Sequence, residues 1–286
     1  RIENHKYSIE EAFRECFYII PDYQREYVWT DKEVNQLLED INEQLDTGST
    51  REYFIGTVLV SPTEQKSQYE VIDGQQRLTT FFLLLCALRH LLQKEPEAQL
   101  LNRLISDSYT TSSGIETRLK LDPRYENASE VMAKLVEING EPMAVRSGIM
   151  AAGITSFGSL ENLVNAYATL YRYLQDNYDD VAKLKKYWFY LATNVVFIQI
   201  STDVSSALKI FETINERGVG LNSMDLLKNL LFTQVTPDQF SKLKDEWKKI
   251  TSPLEKGKEK PLRFLRYFLM AHYRVKNEKG ESVIYE

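Results

Sequence analysis

The chain has 286 residues, 43% of them apolar and 27% charged, which excludes an intrinsically disordered segment and leaves room for one large domain or two ordinary ones. A formal net charge of −6 excludes a protein whose whole surface grips nucleic acid, though not a local basic stripe. Two cysteines, Cys16 and Cys86, stand far apart, so no disulfide framework or zinc pattern follows, and the expected setting is reducing and cytoplasmic.

In chain order, CFYIIPDYQREYVW (16–29) opens with a β-type run that ends at Pro21. Thr30 begins a helix, since Thr30 and Glu33 have capping-box spacing. Val34, Leu37, Leu38, Ile41 and Leu45 then follow at helical spacing, and Gly48 closes the element. YFIGTVLV (53–60) reads as a strand, SPTEQKS as a turn and QYEVI (68–72) as the returning strand. The stretch VIDGQQRLTT (71–80) leads into LTTFFLLLCALRHLL (78–92), apolar nearly all round and therefore a helix buried on most faces. Its longest apolar run, Phe81 to Leu88, is too short to span a bilayer, and no signal peptide is visible.

Residues 96–158 read as less regular and richer in Gly, Ser and Pro, with TRLKLDPRYEN (117–127) a short strand and turn. SLENLVNAYATLYRYLQDNY (159–178) is a strong helix with its stripe running from Leu160 to Leu174. NVVFIQIS (194–201), rich in β-branched residues, reads as a strand returning to the first sheet. SALKIFETINERG (206–218) is a helix stopped by Gly218. SMDLLKNLLF (223–232) is another, with Asp225 in its first turn. Thr236-Pro237-Asp238-Gln239 starts a helix that carries Trp247, and 261–275 is the last ordered stretch the pattern predicts.

Three polar clusters carry the candidate chemistry. In the first, Asp73, Gly74, Gln75, Gln76 and Arg77 stand where a strand runs into a helix. One reading is structural: Asp73 caps the helix, Gln76 reaches back to it and Gly74 permits the turn. The other is an anion site, because free backbone amides and the helix dipole favour negative charge there and Arg77 adds donors that fit phosphate oxygens. Asp73 would repel phosphate unless a divalent cation offsets it, which makes Asp73 a metal ligand or a base for water. No Walker loop occurs. The second cluster is PDYQREYVW (21–29), with Gln24 and Arg25 among aromatics. The third is FETINERGVGLNSMDLLKN (211–229), with Asn215, Arg217 and Gly218 at a helix end.

These three stretches resemble the three signatures of the GmrSD-type N-terminal domain, found in modification-dependent restriction and phage-defence proteins. The matched segments span residues 18 to 232. The resemblance implies an α+β fold: a small ParB/sulfiredoxin-like mixed sheet with helices, plus a large mainly helical addition. It divides the chain into a nucleotide-binding core (1–95 with 188–235), a mainly helical insertion (96–187) and C-terminal helices (236–286). It also implies a nucleoside triphosphate as ligand and substrate, with Mg2+ as cofactor. Asp73, Gln75 and Gln76 are then the catalytic positions and Asp73 the metal ligand. Gln24, Arg25, Gly74, Arg77, Asn215 and Arg217 bind the nucleotide. The partners implied are DNA, possibly modified, and an HNH-type nuclease domain or subunit outside this chain; no membrane is involved, and a homo-oligomer is open.

The three histidines, His5, His90 and His272, have no useful spacing for nuclease chemistry, and His90 on the buried helix reads as a satisfied core residue. Two other readings stay open: a non-catalytic DNA- or protein-binding module, with basic aromatic stretches at 242–249 and 261–268 as the DNA contact, and a sulfiredoxin-like or kinase-like phosphotransferase.

Overall fold

A computed structural model describes residues 2–203, apart from 23, 49 and 155–159. The third cluster, with Asn215 and Arg217, and the helices expected after residue 203 lie outside the described residues.

The fold is α+β. Two elements that the sequence reading passed over come first, strand β1 (Glu3–Ser8) and helix α1 (Ile9–Glu15). Ser8 starts α1 as a capping box: its Oγ accepts from Glu11 N at 3.2 Å, and the Glu11 carboxylate accepts from Ser8 N at 3.4 Å. Strand β2 (Phe17–Ile20) follows and ends before Pro21. Helix α2 (Asp31–Asp46) starts after Thr30, as its spacing predicts, with the Glu33 carboxylate accepting from both Thr30 N and Thr30 Oγ1. Val34, Leu37, Leu38 and Ile41 form its buried stripe. Strands β3 (Tyr53–Pro62) and β4 (Gln68–Asp73) are the expected antiparallel pair, and α3 (Gln75–Leu91) is buried nearly all round.

Residues 96–154 are more ordered than their composition suggests. They hold α4 (Glu97–Ile105), the hairpin β5 (Ser106–Thr111) and β6 (Gly114–Leu119), strand β7 (Leu121–Pro123), α5 (Ala128–Ile138) and α6 (Pro142–Ala151). The Gly and Pro residues that suggested irregularity sit at the joints: Pro96 before α4, Gly114 in the hairpin, Gly140 and Pro142 between α5 and α6. Between the joints, Leu101, Leu104 and Ile105 on α4 and Val131, Met132 and Leu135 on α5 are buried at helical spacing. Helix α7 (Glu161–Asn177) carries the expected stripe, α8 (Val181–Asn194) follows, and β8 (Val195–Ser201) returns to the sheet.

The six-stranded sheet has the order β1-β8-β3-β4-β2-β7. β8 lies antiparallel to β1 and parallel to β3, while β2 runs parallel to both β4 and β7. All eight described helices contribute to a core on one face of this sheet, with α3 packed between α4 and α7 at its centre. Each fully buried leucine or phenylalanine of α3 contributes about 1.5–3 kcal/mol relative to exposure, which fixes the axis of α3 and therefore the place of its N-terminus.

Candidate functional site

The site lies where β4 turns into α3. Val60 faces Val71 across the β3–β4 pair, but Leu59 faces Asp73, so β4 carries an extra residue at Ile72. Such a bulge re-aims the side chains beyond it, and it brings Asp73 to the end of the strand opposite Leu59. Gly74 then adopts a left-handed conformation, φ +101°, and a Cβ there would come within 3.0 Å of Val58 Cγ2. Both the torsion and the close approach require glycine.

Helix α3 starts at Gln75 with Gly74 as its N-cap, no side-chain cap and no acid in the first turn. This corrects the structural reading of the cluster: Asp73 stands one residue before the N-cap Gly74, and Gln76 bonds the distant 26–28 backbone rather than the start of its own helix. The first amides of α3 are therefore left for other acceptors. Burial raises the Asp73 carboxyl above its ordinary value, against the lowering effects of the Arg77 charge and the Gly74 N–H.

The two flanking polar side chains fasten this corner. Gln76 Oε1 accepts from Val28 N at 2.9 Å and Gln76 Nε2 donates to Glu26 O at 3.0 Å. Arg77 donates to Ile55 O, and at 3.2 Å to Thr57 O. Gly56, at φ +113°, sits between those carbonyls, and a Cβ there would overlap the Arg77 guanidinium. Arg77 thus straps α3 to β3 and keeps its charge near Asp73. A lone glycine inside a strand pattern was the sequence signal for this approach.

The 21–29 segment lies against the same corner. Gln24 is buried; its Nε2 donates to Val71 O, and its Oε1 has no hydrogen-bond partner. Tyr27 is core, with its hydroxyl 2.8 Å from Thr80 Oγ1 on α3, and its backbone is held by Tyr125 and Asn162. Trp29 packs partly against the core, while Arg25 is exposed. Gln75 is buried. Gln24, Asp73, Gly74, Gln75, Gln76 and Arg77 therefore meet in one place, with Arg25 on the adjoining segment; Asn215 and Arg217 lie outside the described residues.

Sequence reasoning missed Glu70, half-buried on β4, whose carboxyl burial also raises, against the charge of Arg124. Among the described residues no group of three His, Cys, Asp or Glu side chains could hold a metal ion. A single carboxylate fits magnesium that arrives with substrate phosphates, since that ion is usually held by one or two carboxylates plus phosphate oxygens. His90, half-buried near the end of α3, donates from Nδ1 to Asn139 O at 2.7 Å and stands against Tyr171, so its ring is satisfied within the fold. Both thiols are buried, and burial raises them, Cys86 to about 12.

Fold and corner together define an α+β domain with a strand–glycine–helix turn dressed by amides and an arginine. Residues 5–232 match the family described as GmrSD restriction endonuclease, N-terminal domain, and the chain belongs to that family. Uncharacterized protein MJ0686 of Methanocaldococcus jannaschii is 23% identical over 258 residues, an alignment covering 80% of this chain and 40% of that protein. The chain thus spans less than half the length of that relative. No helix among the described residues is long and apolar enough to cross a membrane.

Proposed function

We propose that this domain binds and hydrolyses a nucleoside triphosphate, and thereby regulates or directs a modification-dependent DNA restriction system that acts in phage defence. Membership of the restriction family supports the setting. The observation that carries the chemistry is the bare N-terminus of α3, without side-chain cap or first-turn acid, set directly after the desolvated Asp73.

In this reading the first amides of α3 receive the phosphates, as positively polarised helix ends do. Arg25 adds charge from the adjoining segment, and Arg217 from the third cluster. Asp73 would hold Mg2+ or orient the attacking water, and a magnesium ion held there would supply positive charge to offset the phosphate oxygens. Gln75 positions the water. Gln76 and Arg77 act through the backbone they hold: Gln76 keeps the 21–29 segment in place, and Arg77 fixes the angle of α3 while keeping a positive charge near the phosphates. DNA and an HNH-type nuclease outside this chain are the partners of this reading.

Calorimetric titration of the four nucleoside triphosphates with magnesium, on the natural protein and on Asp73→Ala, tests it. The expected result is binding of at least one nucleotide, with turnover abolished by the substitution while the fold persists. Retained turnover in Asp73→Ala defeats the assignment. A non-catalytic binding module is the second reading, favoured by the engagement of Gln76 and Arg77 with backbone; it predicts binding without turnover in the natural protein.

A further inference from the structure

Tyr27 is the fixed point of the segment beside the site. Its side chain is core, 2% exposed, and its hydroxyl lies 2.8 Å from Thr80 Oγ1 on α3. Around it, four successive backbone groups are closed by side chains. Glu26 O accepts from Gln76 Nε2 at 3.0 Å, and Val28 N donates to Gln76 Oε1 at 2.9 Å. Between them, Tyr27 N donates to Tyr125 OH at 3.1 Å, and Tyr27 O accepts from Asn162 Nδ2 at 3.2 Å.

That alternation is the pattern of an extended chain, whose backbone groups point to opposite edges at successive residues. Gln76 closes one edge, while Tyr125 and Asn162 close the other. Among the described residues no strand pairs with 26–28, so side chains take the place of both neighbouring strands. Tyr125 comes from the connection between β7 and α5, and Asn162 from the first turn of α7. Helix α7 returns to the same segment two turns later, where Thr169 Oγ1 donates to Asp31 Oδ1 at 2.9 Å. Seven helical residues rise about 10.5 Å, and four extended residues reach about 14 Å. Both contacts are therefore met with residues 27–31 laid along α7 as along a splint.

Arg25 lies two residues before Tyr27 and is exposed. We infer that Tyr125 and Asn162 are positioning residues of the nucleotide site: by fixing Tyr27 they set where the Arg25 guanidinium stands against the phosphates. The inference rests on the nucleotide reading above and adds to it the means by which that site is regulated. A paired strand would tie Arg25 to the sheet. Here its place depends on two side chains from outside the sheet keeping their hold. Gln76 grips the other edge from within the site, so Tyr125 and Asn162 are the contacts through which the rest of the chain reaches Arg25. A movement of α7 that breaks the Asn162 bond weakens phosphate binding without touching Asp73 or the start of α3.

A double-variant cycle on nucleotide binding in the full chain tests it, with the tightest-binding of ATP, GTP, CTP and UTP as probe, in magnesium. Asn162→Leu removes the amide that holds Tyr27 O, and Tyr125→Phe removes only the hydroxyl that receives Tyr27 N. Each should quicken amide exchange at Tyr27 and raise Kd roughly three- to tenfold. In an Arg25→Ala background the same substitutions should leave Kd unchanged, because the group they position is gone. Should Arg25→Ala bind too weakly to titrate, Arg25→Lys serves as the background, and the fold-change there should be smaller than in the natural protein. An equal fold-change in both backgrounds reports general loosening and overturns the inference, as does an unchanged Kd in the single variants. If Asn162→Leu fails to fold, Tyr125→Phe carries the cycle under the same outcomes. Absence of nucleotide binding by the natural protein defeats the nucleotide reading and this inference with it, whereas binding with an additive cycle defeats the inference alone.

Discussion

Gln76 holds Val28 by its backbone: the Gln76 carboxamide oxygen accepts from Val28 N at 2.9 Å, while its NH2 donates to Glu26 O at 3.0 Å. One side chain thus closes two backbone groups of a segment 48 and 50 residues away in sequence. Gln76→Ala leaves both groups part-buried and unpaired, a loss of roughly 1–3 kcal/mol. A lower denaturation midpoint, with faster amide exchange at Val28, is the expected outcome. Gln76→Glu keeps the acceptor for Val28 N but turns an oxygen toward Glu26 O, so it should rescue only part of the loss. Exchange at Val28 unchanged in Gln76→Ala would show that the segment is held by other contacts.

Gly56 and Arg77 form a matched pair. Gly56→Ala introduces a Cβ at φ +113° and into the space of the Arg77 guanidinium, two penalties that together cost at least about 1–3 kcal/mol. Arg77→Ala removes the overlap, so the double variant should lose less stability than the two single losses added together. A double-mutant cycle by thermal unfolding measures this coupling, and additivity within error would deny the contact.

The half-buried carboxyls of Asp73 and Glu70 make stability depend on pH in a defined direction. Burial raises Asp73 above 3.8 and Glu70 above 4.5. A carboxyl with a raised folded pKa keeps its proton in the folded state over a window in which the unfolded chain has lost it. Its contribution is therefore fully present below the unfolded value and is lost as pH rises through the folded one. Asp73→Asn and Glu70→Gln remove that loss. Each should be more stable than the natural protein at pH 7, by a margin that shrinks toward acid. Urea unfolding across the acid range checks the trend, and a margin that grows toward acid contradicts the burial effect. For Asp73→Asn the same gain should accompany loss of magnesium-dependent nucleotide binding, which a purely structural carboxylate would not produce.

Both thiols should be silent in the folded protein. Burial holds Cys86 near 12 and raises Cys16, which stands in a buried group with Tyr7, Tyr18 and Gln199. Thiol reagents at pH 7 should label neither until the protein unfolds. Rapid labelling of Cys16 would reopen redox chemistry at this scaffold.

Local signals made several elements legible. The capping box at Thr30, the stripes of α2 and α7, the all-round apolar α3 and the β-branched β8 depend on neighbours within a turn or two, and side-chain periodicity records those. The shorter helices α4, α5 and α6 were obscured because each offers few turns of pattern before a Gly or Pro joint. At the site, sequence brought out Gln24, Arg25 and the 73–77 cluster as residue types, and the strand-to-helix turn that presents them.

By itself, then, the sequence determined the composition of the polar corner, the greasy helix behind it and the strands on either side. Only the tertiary structure decided what each polar group does there. The bulge at Ile72 turns Asp73 toward Leu59, Gly56 opens β3 to Arg77, and Gln76 spends its amide on the 26–28 backbone rather than on its own helix. The physical reason is separation along the chain. A carboxamide or guanidinium satisfies whichever backbone group the packed core brings within about 3 Å, and periodicity over a few residues carries no record of a partner twenty or fifty positions away.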